Sequence, residues 1–345
     1  MIRYCFSLLF FLASNISDAH HSNDYHFDRN IGVSFSGTVK MFRFINPHAR
    51  LLVDVTSENG EIVTWDCEMA GSNGLQRRGW TSNIFKIGDE ITVKGFAARR
   101  NNTECYFDVA EMDNGRRIAL SDSFDMQISE EPAPVLGTPD NGTVPNFSRV
   151  WQRARGGTDR PPQGGPRLGG PNRNAWVLSE LGRAALDSYD SVFDDPALEC
   201  SPVSIRRLWG NNDLTEIEQT ADSVIIRHEW MDAVREVNLM LNQHPENLEP
   251  RLLGHSIGWY EDDTLVIDTI GYEAGMLEQH PGLPHSEHLH TVERLTLAEE
   301  GNRFEITILM EDPLYFTDQL STSRSFVVAN AVPQEYNCTH PELGR

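Results

Sequence analysis

Of the twelve histidines in this 345-residue chain, eight follow residue 176 and four crowd between His280 and His290. Imidazole is the side chain that gains and loses a proton near neutral pH, so acid/base chemistry would sit in this half. Strand alternation sorts these residues by face. Between Glu287 and Leu297 the large apolar residues Leu289, Leu295 and Leu297 are odd-numbered, which sends Glu287, Thr291 and Glu293 inward and His288 and His290 away. Val224, Ile226 and Trp230 carry His228 with them; Arg235 shares a face with Val237 and Leu239, and His255 with Ile257 and Trp259. The expected interior therefore holds His228, Arg235, His255 and Glu293, with His285 at the rim.

A guanidinium and a carboxylate turned inward must pair, because an isolated buried charge is costly. Arg235 and Glu293 are the obvious partners. An imidazole beside such a pair can act as general acid or base. This gives His228, His255 and Glu293 as candidate catalytic residues and Arg235, His285 and Trp259 as candidates for holding a substrate. The expected chemistry is cofactor-free proton transfer, as in a lyase or isomerase, on a small, partly apolar molecule. The plainer alternative is a structural ion pair among satisfied core histidines. Asp268 is a second candidate acid, but Thr264 to Thr269 is apolar on both faces and alternation does not place it.

A different constellation lies near the start. If cleavage exposes His20, its α-amino group and imidazole can chelate copper, with His21, His26 or His48 completing a nitrogen-rich site. Asn46-Pro47-His48 would hold one imidazole at a strand entrance. A periplasmic copper-binding protein is thus one alternative function, and a structural or adaptor protein another. No Gly-rich phosphate loop, His-Glu-x-x-His or Gly-x-Ser-x-Gly is present, so nucleotide, zincin and α/β-hydrolase chemistries have no anchor.

Against 29 Lys+Arg stand 51 Asp+Glu, a formal charge of −22. Such a chain repels nucleic acid and anionic membrane surfaces. Residues 1–19 read as an export signal: Arg3, an apolar run from Cys5 to Ala13 too short to span a bilayer, and Ser17-Asp18-Ala19 before the cut. The expected location is periplasmic or secreted. Cleavage leaves Cys67, Cys105, Cys200 and Cys338, which permit three pairings. Pairing within each half, Cys67 with Cys105 and Cys200 with Cys338, is the economical choice.

The elements that must position these groups are mainly β. Short strands and turns from Ile31 to about Leu120, with a helix from Ser72 to Arg78, fit a small OB-like barrel over 20–121. Residues 122–175 are rich in Pro, Gly and Arg and read as a linker. Arg149, Arg153, Arg155, Arg160, Arg167 and Arg173 make it a basic strap that would lie on the protein's own acidic surface. After a helix near Leu178 to Tyr189, at least seven strands fill 176–345 with no helices between them. They favour an antiparallel, calycin-like barrel or half-barrel with one internal pocket.

Two stretches resemble known families. His20-His21-Ser22, Asn46-Pro47-His48-Ala49 and Leu75-Gln76-Arg77-Arg78-Gly79-Trp80 are similar to exported bacterial proteins of unknown function whose mature form begins His-His-Ser. Phe147 to Trp151, Asp194 to Pro202, Gly254 to Trp259, Asp263 to Thr269, His285-Ser286-Glu287, Glu293-Arg294, Asp312-Pro313 and Tyr336-Asn337-Cys338 resemble a second uncharacterised exported group. That group usually reads Gly where this chain has Arg149, and Arg or a similar residue where it has Gly258. The resemblance implies an architecture and a compartment, and no activity.

Overall fold

A computed structural model of the protein describes residues 26–124, 144–154, 177–190, 194–278 and 282–339. The first unit contains β1 (Phe27–Arg43), β2 (Arg50–Thr56), β3 (Ile62–Glu68), α1 (Ser72–Gln76), β4 (Glu90–Ala98), β5 (Glu104–Met112) and β6 (Arg117–Ala119). β1 is one long strand rather than the short ones expected, because register shifts near Asp28/Gly32 and Val39/Met41 bend it enough to pair with both β2 and β4. The strands close in the order β1-β2-β3-β5-β4, and β6 extends from β5. A ring of five strands cannot be antiparallel throughout. Its one parallel pair is β3 with β5, and the Cys67–Cys105 disulfide sits on facing positions of that pair. Leu51, Val93, Trp80 and Phe107 fill the core.

The second unit repeats this logic on a larger ring. Its elements are β7 (Arg149–Arg153), α2 (Glu180–Ser188), α3 (Ile205–Gly210), β8 (Thr215–Gln219), β9 (Ser223–His228), β10 (Ala233–Asn238), β11 (His255–Glu261), β12 (Thr264–Ile270), β13 (Gly275–Glu278), β14 (Leu283–His285), β15 (His290–Ala298), β16 (Arg303–Glu311) and β17 (Leu320–Val328). Among the described residues nine strands close into a barrel in chain order from β7 to β17, with β13 and β14 as a separate hairpin. Nine is again odd. The parallel step falls between β10 and β11, where Val237 faces Ser256 and Asn238 faces Ile257. Parallel neighbours need a crossover instead of a tight turn. Here the crossover is residues 239–254.

The reading of 122–175 as wholly linker needs correction, because β7 lies inside it. Phe147 and Trp151 are fully buried and anchor this strand between β17 and β8. The Pro and Gly around it masked a short apolar segment. Arg149 reaches Asn302 and Arg153 the carbonyl of Gly210; the other four arginines of the basic segment lie outside the described residues. Helix α2 starts at Ser179, whose Oγ accepts from Gly182 N at 3.0 Å.

The barrel interior is filled by large side chains. Trp209 from α3 sets its indole against His228, Phe304 and Phe326. Phe304 also meets Phe147 and Trp151 edge-on. No described helix is long and apolar enough to cross a membrane. The second disulfide, Cys200–Cys338, ties the end of the described chain back to the segment before α3.

Candidate functional site

Inside the barrel, Arg235 and Glu293 form the expected pair: Arg235 Nη1 donates to Oε2 and Nη2 to Oε1, the latter at 2.8 Å. Trp209 Nε1 also donates to Glu293. Both charged side chains are at most 3% exposed. His228 faces inward as well, with Nδ1 3.0 Å from Thr215 Oγ1. Burial, with help from the Arg235 charge, pushes its imidazole down to about 3. It is a neutral ring wedged against Trp209, and Arg235 is engaged by Glu293 rather than open to a substrate anion. His285 is not at a rim. It is buried on β14, where Nδ1 lies 3.1 Å from the Ser286 carbonyl and burial lowers its pKa. Ser286 Oγ donates to Asp312, so this serine and histidine do not form a nucleophile pair.

The alternation expected for β11 is overturned. Ser256 faces Thr269, Gly258 faces Ile267 and Tyr260 faces Leu265, so the even residues point inward. A Cβ on Gly258 would stand 2.7 Å from Val237 Cγ1, which is how tightly that inner face is closed. His255, Ile257 and Trp259 lie on the outer face. Alternation misleads here because the outer face is also covered: Ile257 and Val266 are 4% and 1% exposed although neither faces the lumen. Trp259, by contrast, is largely exposed and donates to Glu261. Glu287, expected inside, precedes β15 and is exposed.

The crossover 239–254 returns over this outer face and brings His244 onto the sheet. His244 Nε2 lies 2.7 Å from Asp268 Oδ1, and its Nδ1 lies 3.0 Å from His255 Nδ1. From β15, His290 Nε2 reaches Asp268 Oδ2 at 2.9 Å. The strand register explains the meeting. Asp268 on β12 is flanked by Ile257 of β11 and Val292 of β15 on the same face, with His255 and His290 two residues farther along.

Hydrogen-bonding capacity fixes the direction of this chain. A carboxylate only accepts, so His244 and His290 both donate to Asp268 through Nε2. In the neutral ring that leaves His244 Nδ1 a lone pair, and His255 donates to it through Nδ1. His255 Nε2 is then left with a lone pair and no partner among the described residues. Burial opposes the Asp268 charge, but the bonds from His290 and His244 outweigh it and hold the carboxyl below its ordinary value. The bond to Asp268 raises His290. Desolvation, His244 and the nearby Arg251 charge lower His255, which favours its neutral form. Arg251 is itself exposed.

Sequence reasoning named His255 and Asp268 but missed His244 and Arg251. Both sit in a stretch without periodicity, and the usable signal is the odd strand count, which demands a crossover. For the proposed copper set, His20 and His21 lie outside the described residues. His48 follows a cis Asn46–Pro47 bond and places Nδ1 3.2 Å from Glu68 and 3.4 Å from the Met69 carbonyl. No cluster of three or more His, Cys, Asp or Glu with metal-holding geometry occurs among the described residues.

Residues 9–106 match a family model described as a family of unknown function, DUF6152. The match ends within β5 and agrees with an uncharacterised N-terminal domain. No curated protein matches the chain. Among solved structures the chain is similar to a secretary abundant heat soluble (SAHS) protein from Ramazzottius varieornatus. The identity is 11% over 54% of this chain and 98% of that one, with a TM-score of 0.22. The assignment of the barrel here rests on its own strand pairing.

Proposed function

We propose that this is an exported two-domain protein, an OB-type barrel over about 26–121 joined to a larger barrel from about 144 onward, and that the larger barrel is a cofactor-free acid/base enzyme. The observation that carries the reading is the oriented chain from His255 through His244 to Asp268. It leaves one nitrogen, His255 Nε2, with a lone pair and no partner among the described residues. The signal-like N-terminus and two disulfides support export.

In this reading His255 Nε2 takes a proton from a carbon next to a carbonyl or carboxylate. The positive charge that develops on the ring is stabilised through His244 by Asp268. Arg251 attracts the substrate's carboxylate, the role first expected of Arg235. The electron pair left on carbon either re-forms a bond to the returned proton at a neighbouring carbon, an isomerisation, or expels a leaving group, a lyase reaction. Arg235 and Glu293 then serve the fold.

The test is carbon-acid exchange. Small 2-oxo and 3-oxo carboxylates incubated in D2O with the protein and followed by proton NMR should lose their exchangeable C–H signals faster with wild type than with His255→Gln. The reading fails if no carboxylate in the set exchanges faster than in buffer, or if His255→Gln is as active as wild type. Arg251→Ala should raise KM more than it lowers kcat.

A further inference from the structure

A second feature lies between the two barrels. Residues 334–339 run along the first barrel and are held there at several points. Asn46 Nδ2 donates to the Tyr336 carbonyl at 2.6 Å, and Thr339 N donates to the Asn46 carbonyl at 2.9 Å. From the second barrel, Asp232 accepts from Tyr336 N at 2.7 Å and Glu229 accepts from Gln334 N at 3.2 Å. The Cys200–Cys338 disulfide fixes the same segment covalently. Beside it lies a groove of about 600 Å³, walled on one side by Phe44 to Asn46 and α1 and on the other by 334–339. That volume is in the range of small-molecule sites, about 300–1,000 Å³.

The lining has a definite chemistry. Among the described residues it contains no Lys, Arg or His, and Glu335 is its one carboxylate. Arg77, next along the chain from the groove residue Gln76, is committed to Glu229 and Asp213 instead. Amides and hydroxyls dominate. Asn46 and Asn73 are buried and bonded to each other and to the main chain, so the floor is rigid. Gln76 and Gln334, one on each wall, are exposed, and neither side-chain amide has a partner among the described residues. Each offers one acceptor and two donors. Phe44 adds an apolar surface in the same groove.

We infer that this inter-barrel groove binds a neutral oligosaccharide. Sugar hydroxyls both donate and accept, and a side-chain amide presents both functions side by side. An aromatic ring suits the C–H face of a pyranose. A phosphate or sulfate finds no cation among the described lining residues, and the chain's charge of −22 repels polyanions at longer range. The walls are pinned before any ligand arrives, so little ordering cost opposes binding. This site uses no residue of the His255 centre.

Titration calorimetry of the exported, disulfide-intact protein with cellotetraose, maltotetraose and chitotetraose tests the inference, with a sulfated tetrasaccharide and a neutral tetrapeptide as comparators. At least one neutral saccharide should bind, and more tightly than either comparator. The double variant Gln76→Ala/Gln334→Ala should weaken that binding on the order of tenfold, the loss of one or two net hydrogen bonds. Both side chains are exposed and unpaired, so the variant's Tm should stay that of wild type, and His255→Gln should bind as wild type does. No heat with any of the three saccharides, tighter binding of a comparator, or full affinity in the double variant overturns the assignment.

Discussion

Arg77 of the first barrel places Nη1 2.8 and 2.6 Å from the two carboxylate oxygens of Glu229, which follows β9 of the second. Glu229 is 0% exposed at its side chain and also accepts from Asn73 Nδ2, Leu214 N and Gln334 N. One buried carboxylate thus gathers donors from both barrels and from the segment between them. Arg77→Leu leaves the charge with neutral donors only. The expected cost is about 2 to 3 kcal/mol, below the roughly 3 to 5 of a fully stranded buried charge. Urea denaturation followed by tryptophan fluorescence measures it. A loss under about 0.5 kcal/mol would show that water replaces the guanidinium.

The Arg235–Glu293 pair predicts strong non-additivity. Truncating either side chain alone strands the other at a cost of about 3 to 5 kcal/mol. Replacing both with apolar residues of similar size removes that penalty. Trp209 Nε1 then loses its acceptor, so about 1 to 3 kcal/mol of destabilisation should remain. His288 is exposed, and His288→Ala should stay within about 0.5 kcal/mol of wild type. A thermodynamic cycle in guanidinium reads all four; additive single-variant losses would mean the pair is solvated.

Asp268 and His290 predict a stability window in pH. The pKa of His290 is raised in the folded protein, so its contribution is complete below the unfolded imidazole value and fades as pH rises through the raised one. The pKa of Asp268 is lowered, so its contribution is complete above the unfolded carboxylate value and fades as pH falls through the lowered one. Both hold together between about pH 4 and 6.5, the ordinary values of the two groups. The Tm difference between wild type and Asp268→Asn should be largest there and shrink on either side. A pH-independent difference would contradict the pairing.

Removing the disulfides should affect the two units differently. In the chain-entropy model Cys67–Cys105, with a separation of 38, contributes about 4 kcal/mol and Cys200–Cys338, with a separation of 138, about 5. Cys200→Ser/Cys338→Ser should also free residues 334–339, the wall of the inter-barrel groove. Hydrogen exchange by mass spectrometry should then show faster exchange at Tyr336 and Thr339 with β1 to β5 unchanged. Equal protection in variant and wild type would place the anchoring in the hydrogen bonds to Asn46, Asp232 and Glu229.

The sequence by itself determined what alternation and composition can carry. Strands whose outer face meets water, such as β9, β10 and β15, showed their inward residues plainly, so His228, Arg235 and Glu293 were placed correctly, and the cysteine positions pointed to one pair in each half. Tertiary structure decided the rest. The outward turn of His255 could not be read from β11, because Ile257 is buried on the outer face, which erases the contrast between faces. The crossover exists because an odd ring of strands must contain a parallel step, and no local pattern announces how many strands will close. His244 meets Asp268 only through that closure, and Glu229 meets Arg77 only because two separately closed barrels were then brought together.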